Sequence, residues 1–289
     1  MSTKIGFLSN SENEKILLEF SSSWLKEKGK AIELIEVPFG NRMGLGMDAD
    51  LRGILLDPLD SWSFVSEWPR VSEEVAFLQV ADCVLRSEGY LWPRLLFPES
   101  IRAFIAHQAP DLDTRQTAYV VGEGAWLRIL GRLCLSMGFK KLFLVSEQEE
   151  DLKTSVEKVW RRFWGAEIIA LPAYQLTLQT VSASLIVVSP LRQASPGLVH
   201  DIAYFNVMLP QGLLIDLNLS ASDSMLVQEA MQAGLRTLPP TEIYAFWLRD
   251  FLTHVGLWDQ QLPEQDFQFS LKNHLINLES VDSGSVEDR

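Results

Sequence analysis

Two glycines separated by one residue open the stretch Gly122-Glu123-Gly124-Ala125-Trp126-Leu127, between an apolar run and an amphipathic one. A strand that turns directly into a helix needs little side-chain bulk at that corner. The turn is tight, and the backbone must come close to any pyrophosphate resting on the helix N-terminus. Gly122, Gly124 and the small Ala125 meet that need, whereas the third small position of the pattern is the bulky Leu127. Glu147 follows Gly122 by 25 residues, beside Ser146 at the end of the next apolar run. A carboxylate there accepts hydrogen bonds from a ribose 2′-hydroxyl and repels a 2′-phosphate, so the expected dinucleotide is NAD, with NADP disfavoured. The competing reading is that both glycines merely make a tight turn, Glu147 is a solvated acid and no dinucleotide binds.

Other chemistry is thinly represented. His107, His200, His254 and His274 are scattered, and none stands at a metal-ligand spacing from another histidine or acid on one obvious element. No metal site is expected, and no histidine is assigned a catalytic role. Asp57 and Asp60 flank Pro58-Leu59 and read as turn formers, with a pair of cleft acids as the alternative. No Gly-x-Ser-x-Gly elbow, Walker loop or zinc motif occurs. Cys83 and Cys134 give no disulfide framework, which makes a reducing cytoplasm the expected location. Of nine tryptophans, Trp62, Trp68 and Trp92 read as core filling or as an aromatic contact surface for a protein or apolar ligand.

The glycine turn needs a strand before it and a helix after it. Thr117 to Val121 and Ala125 to Met137 supply them, and Lys141 to Ser146 is the next strand, with Gly138 ending the helix between. A helix from Glu149 to Trp164, strands over Glu167 to Leu171, Ser184 to Ser189 and Leu213 to Leu217, and a helix from Asp223 to Ala233 follow. Strands this apolar throughout are buried on both faces, which implies a parallel sheet with helices on either side. The N-terminal segment alternates in the same way: strand Lys4 to Leu8, a helix from Ser11 to Lys28 with Ser11 and Glu14 as a capping box, and strand Ala31 to Val37. From Gly53 to Phe104 the pattern is harder to read, with a helix-like stretch from Val71 to Val80. A long helix from Thr241 to Val255 follows Pro239-Pro240, and Ser280 to Arg289 reads as a loosely held polar terminus.

The chain has 289 residues, enough for two domains, and its 47% apolar and 22% charged content is that of a globular protein. The polar, aperiodic segment Gln108 to Arg115 is the expected boundary, giving domains over residues 1–107 and 108–240 and a closing helix with a tail over 241–289. Runs such as Leu142 to Val145 fall far short of the roughly 20 residues that cross a bilayer, and Ile5 to Leu8 is too short for a secretory signal. No membrane association is expected. A net charge of -13, with no basic patch larger than Lys140-Lys141 or Arg161-Arg162, argues against nucleic acid as a partner.

The order of motifs over Thr117 to Gly256 resembles the shikimate dehydrogenase family. That family follows its glycine loop with a strand ending in an Asn-Arg-Thr clamp, an Asn-Ala-Thr-Pro loop, an Asp-x-x-Tyr-Asn-Pro strand end, an alanine-rich helix and a closing helix. Here stand Ser146-Glu147-Gln148, Val187-Val188-Ser189-Pro190-Leu191, Asp216-Leu217-Asn218, Ala230 to Gly234 and Ile243 to Gly256. The resemblance implies an α/β fold with an N-terminal substrate-type domain, a Rossmann-like NAD(P)-binding domain and a closing helix that packs back on the former. It adds Ser189 to the cofactor-binding candidates Gly122, Gly124, Ala125, Ser146 and Glu147. Ser9-Asn10-Ser11 stands near the family's paired serines, which hold the substrate carboxylate, so Ser9 and Ser11 are the implied substrate-binding residues.

The family's catalytic side chains do not carry over. Its lysine falls on Asp60, its substrate-binding asparagine on Asp82 and its substrate-contacting glutamine on Trp247, while Trp92 to Phe97 offers no counterpart of its catalytic aspartate. Hydride transfer from an alcohol carbon needs a group to manage the hydroxyl proton, and a lysine–aspartate pair does this in that family. No catalytic residue is therefore assigned. The expectation is a shikimate dehydrogenase-like protein that lacks that activity and acts as a binding or interaction module for a small molecule or a protein. The alternative is an active NAD-dependent oxidoreductase on a different small polar hydroxy substrate.

Overall fold

The computed structural model describes residues 2–8, 12–38, 45, 48–66, 68–160, 165–191, 195–220 and 223–284. They form two units, residues 1–97 with 244–289, and residues 98–243. The first unit opens with β1 (Thr3–Leu8), α1 (Glu12–Glu27) and β2 (Ile32–Val37). Leu17, Leu18, Phe20, Trp24 and Leu25 share a face of α1 and are buried, as their helical spacing predicts. The expected capping box at Ser11 lies outside the described residues.

Five further elements occupy the stretch whose pattern is hard to read: β3 (Leu51–Leu55), α2 (Pro58–Val65), α3 (Glu73–Leu78), β4 (Cys83–Ser87) and β5 (Tyr90–Arg94). The five-stranded sheet has the order β2-β1-β3-β4-β5, with β1 parallel to β2 and β3, and β4 antiparallel to β3 and β5. Pro93 is tolerated in β5 because that strand is at the sheet edge.

The chain continues through α4 (Phe97–Gln108) into the second unit. There β6 (Thr117–Val121), α5 (Gly124–Met137) and β7 (Lys141–Ser146) follow the sequence expectation closely. The helix expected from Glu149 to Trp164 is instead α6 (Glu149–Leu152) continued by a wider π-helical stretch over Lys153–Val159. Next come β8 (Glu167–Pro172), a 3-10 segment over Ala173–Leu178, β9 (Ala183–Val188), α7 (Pro196–Ala203), β10 (Met208–Asp216), α8 (Met225–Gln232) and β11 (Arg236–Leu238). All six strands are parallel, in the order β11-β10-β9-β6-β7-β8. Every residue of β6 and β9 is buried. Tyr119, Phe143, Ile186 and Leu214 lie in the core on one face of this sheet, with Leu198 of α7 and Leu226 of α8.

Residues 98–107 of α4 group with the second unit, so the first division lies at residue 97 where 107 was expected. Arg236 pairs with Asp111 at 2.6 Å, and the Ser184 hydroxyl donates to the Asp113 carbonyl at 2.8 Å. The second division falls at residue 243 rather than 240.

The first unit is completed by α9 (Pro240–His254) from Tyr244 onward and by α10 (Glu264–Gly284). The final residues thus begin as helix where a loose terminus was expected, with residues 285–289 outside the described set. Trp24 stacks on Trp258 at 5.5 Å between ring centres, and Phe267 meets both edge-on at 4.9 and 5.1 Å. This cluster binds α1 to α10 and to the segment that precedes it, and Lys28–Asp266 and Lys30–Asp259 at 2.8 Å frame it. Exposed pairs of that kind add little, so the rings carry the contact. Phe267→Ala is expected to destabilise the first unit by about 3–5 kcal/mol, the loss typical of a fully buried phenylalanine, measurable by urea unfolding.

Candidate functional site

The chain passes from β6 to β7 to β8 on one flank and then returns to place β9 on the other flank of β6. The strand order therefore reverses between β6 and β9, and in open parallel sheets ligands bind at the carboxyl ends of the strands beside such a reversal. Gly122 leaves β6 and Ser189 leaves β9 at this point. A Cβ on Gly122 would lie 2.6 Å from the Ser189 hydroxyl oxygen and 3.0 Å from its Cβ. The Gly122 amide donates to Val145 at 3.0 Å and the Ser189 amide to Val121 at 2.9 Å, which fixes both residues to neighbouring strands. Glycine is therefore required at 122 by Ser189 itself, whatever binds outside. Gly124, with φ of 47°, starts α5. Leu127, the bulky residue of the motif, is fully buried, and its Cδ2 would be 3.6 Å from that same Cβ. It fits by packing under the turn.

Several polar groups around this turn find partners within the chain. The Gly124 amide donates to Asp151 Oδ2 at 2.8 Å, and the Ser155 hydroxyl donates to the Gly124 carbonyl at 3.4 Å. One turn along α5, Arg128 is only 8% exposed. Burial pulls its guanidinium down to about 10, opposed by the charge of Asp151, so it stays cationic at neutral pH. Glu147 receives the Ser195 hydroxyl on one carboxylate oxygen and the Ser195 amide, at 3.0 Å, on the other. Ser146 accepts the Gln148 amide at 3.1 Å, and the Ser189 hydroxyl donates to the Pro190 carbonyl at 3.2 Å. Asp216, at the end of β10, accepts the Asn218 amide and side chain and the Ser224 hydroxyl, and Asn218 in turn accepts the Leu191 amide.

The structure thus places the six sequence-derived candidates Gly122, Gly124, Ala125, Ser146, Glu147 and Ser189 at the carboxyl ends of β6, β7 and β9. Sequence reasoning missed Asp151 and Ser195. Asp151 sits in the run Glu149-Glu150-Asp151, which reads as ordinary first-turn helix acids, and Ser195 precedes Pro196 as a helix cap. Neither signal discloses the long-range partner.

In the first unit, Ser9 and Ser11 lie outside the described residues. Asp57 caps α2, its Oδ1 accepting the Leu59 amide at 3.0 Å, and Asp60 follows in the first helical turn. Asp82, 1% exposed, accepts the amides of Leu96 at 2.9 Å and Phe97 at 2.7 Å, where the chain enters α4. Trp247, also 1% exposed, lies edge-on to Phe97 with 5.5 Å between centres. Trp92 is half-buried, with Arg70 and Arg94 over its ring. Lys4 pairs with Asp48 at 2.9 Å near the amino end of β1, the end opposite the turn that carries Asp57 and Asp60. That hydrogen bond raises the Lys4 ammonium above its usual range, which makes it a poor base.

Burial pushes the Cys134 thiol up to about 12 and that of Cys83 well above its usual value, so neither is a thiolate at neutral pH. His107, His200 and His254 are exposed, and His274 lies against Phe20 at 5.5 Å. Among the described residues no three histidines, cysteines or acids come together as metal ligands, and no helix is long and apolar enough to cross a membrane.

Gly122→Ala is expected to cost about 1–3 kcal/mol through overlap with Ser189, and adding Ser189→Gly should recover most of it, read from urea unfolding of single and double variants. Asp82→Ala should cost about 2 kcal/mol or more by stranding two buried amides, and Asp82→Asn less, measured the same way.

No family model matches the sequence, and no curated protein matches it significantly. Solved structures do. Shikimate 5-dehydrogenase of Thermus thermophilus, in complex with NADP(H) and shikimate, superposes with a TM-score of 0.69 at 16% identity over 94% of this chain and 100% of that one. Shikimate 5-dehydrogenase of Listeria monocytogenes, in complex with shikimate and NAD, gives 0.74 at 11% identity over 93% and 96%. Quinate dehydrogenase of Corynebacterium glutamicum, in complex with NAD, gives 0.73 at 12% identity over 93% and 98%. These neighbours are members of the shikimate and quinate dehydrogenase family, and at such identities what this chain shares with them is the fold.

Proposed function

We propose that this chain is a divergent relative of shikimate dehydrogenase that does not oxidise shikimate and works by binding, with the glycine turn of the second unit as its nucleotide-facing element. The observation that carries the reading is the use of Asp82. Its carboxylate stands where the family has a substrate-binding asparagine, yet it closes two buried backbone amides and is 1% exposed. At 1% exposure Asp82 can reach a ligand only by withdrawing from those amides, which would leave them unpaired. Two neighbouring changes point the same way. Asp60 puts a negative charge where the family has its proton-handling lysine, and Trp247 packs its ring against Phe97 where the family has a polar glutamine. A site built on polar recognition loses its substrate when such partners go.

The nucleotide part is supported by the neighbours solved with NAD or NADP(H) and by the place of Gly122 and Gly124 at the strand-order reversal. Glu147, at the end of β7, favours NAD over NADP because its charge opposes a 2′-phosphate. The same turn favours a second reading, an NAD-dependent oxidoreductase acting on another small polar hydroxy compound with a different proton-handling group.

Shikimate, quinate and a panel of hydroxy acids and polyols, each offered with NAD and with NADP, separate the readings by the absorbance of reduced nicotinamide. The expected result is no product from any of them. Saturable oxidation of shikimate would overturn the proposal, and turnover of another compound alone would select the second reading.

A further inference from the structure

The amide of Gly124 is the first in α5, a helix of 14 residues, and so has no partner within it. Together with the positive end of the helix dipole, such an amide is where a dinucleotide phosphate oxygen is held in a strand–glycine–helix turn. Here Asp151 Oδ2 accepts that amide at 2.8 Å. Four residues on, the Ser155 hydroxyl donates to the carbonyl of the same glycine. Residues four apart lie on one face of a helix, so α6 and its π-helical continuation grip Gly124 at both its backbone polar atoms. Arg128, buried one turn into α5, adds a cation that interacts with the Asp151 carboxylate. The arrangement is a complete anion site whose anion belongs to the protein.

We propose that Asp151 sets the nucleotide affinity of this chain, by filling from within the position that a dinucleotide's pyrophosphate would take. The inference rests on the reading of the glycine turn as a nucleotide site. A carboxylate and a phosphate cannot share one amide, because each is negative and the amide has a single proton to give. Nucleotide therefore binds only to chains in which Asp151 has withdrawn, and the apparent dissociation constant is the intrinsic one divided by the fraction withdrawn. Asp151→Asn keeps the shape and removes the charge, so it weakens the grip and the repulsion together. Asp151→Glu keeps the charge.

Titration calorimetry of the full chain with NAD, and separately with inorganic pyrophosphate, tests this on the wild type, Asp151→Asn, Asp151→Glu and Ser155→Ala. The expected result is at least about tenfold tighter NAD binding for Asp151→Asn than for the wild type, with Asp151→Glu as weak as the wild type. Pyrophosphate should show the same order if the gain lies at the anion position. Ser155→Ala loosens the same grip without changing charge. It should tighten binding by a smaller factor, and it reads the proposal should Asp151→Asn fail to fold. Equal NAD affinity in the wild type, Asp151→Asn and Ser155→Ala would overturn the role of Asp151 while leaving the nucleotide reading in place. Absence of NAD binding in every variant would overturn both.

Discussion

Parallel strands buried on both faces bring their carboxyl ends to a common rim, and the turns that leave it carry backbone and side-chain groups that no strand partner can satisfy. In the second unit that rim is closed mainly by carboxylates. Asp216 gathers Asn218 and Ser224, Glu147 gathers Ser195, and Asp151 takes the first amide of α5. A carboxylate suits this work because each of its oxygens accepts more than one hydrogen bond, and bonds to a charged acceptor are stronger than neutral ones. Part of the acidity of the chain is thus structural.

The parallel sheet was the legible part of the sequence. Thr117–Val121 and Lys141–Ser146 coincide with their apolar runs, because a strand covered on both faces is apolar through its middle and turns polar only at its ends, and Gly138 stops the intervening helix in a left-handed conformation. The β4–β5 hairpin was not legible. It places Arg86 and Arg94 among apolar residues and holds Pro93, features that suit an edge and disguise a strand. At the site, the glycine spacing and Glu147 could be read because they are local. The bonds from Gly124 to Asp151 and from Ser195 to Glu147 span 27 and 48 residues and leave no local trace.

In the first unit Asp82 works as a structural acceptor. An asparagine offers a ligand one acceptor and two donors, whereas an aspartate offers acceptors alone and finds its donors in the entering amides of a helix. Leu96 and Phe97 give their amides to Asp82, and Phe97 in turn packs on Trp247, so the polar and the aromatic contacts meet at one residue.

The two units differ in how the chain supplies them. The second is one uninterrupted stretch, while the first needs residues 244–289 to cover α1 with Trp258 and Phe267. A ribosome delivers the chain in order, at on the order of 10 residues per second, so the later-encoded lobe has all of its sequence before the earlier one does. Through that interval β1 and β2 can already back the first helix, while Phe20 and Trp24 still lack the rings of Phe267 and Trp258.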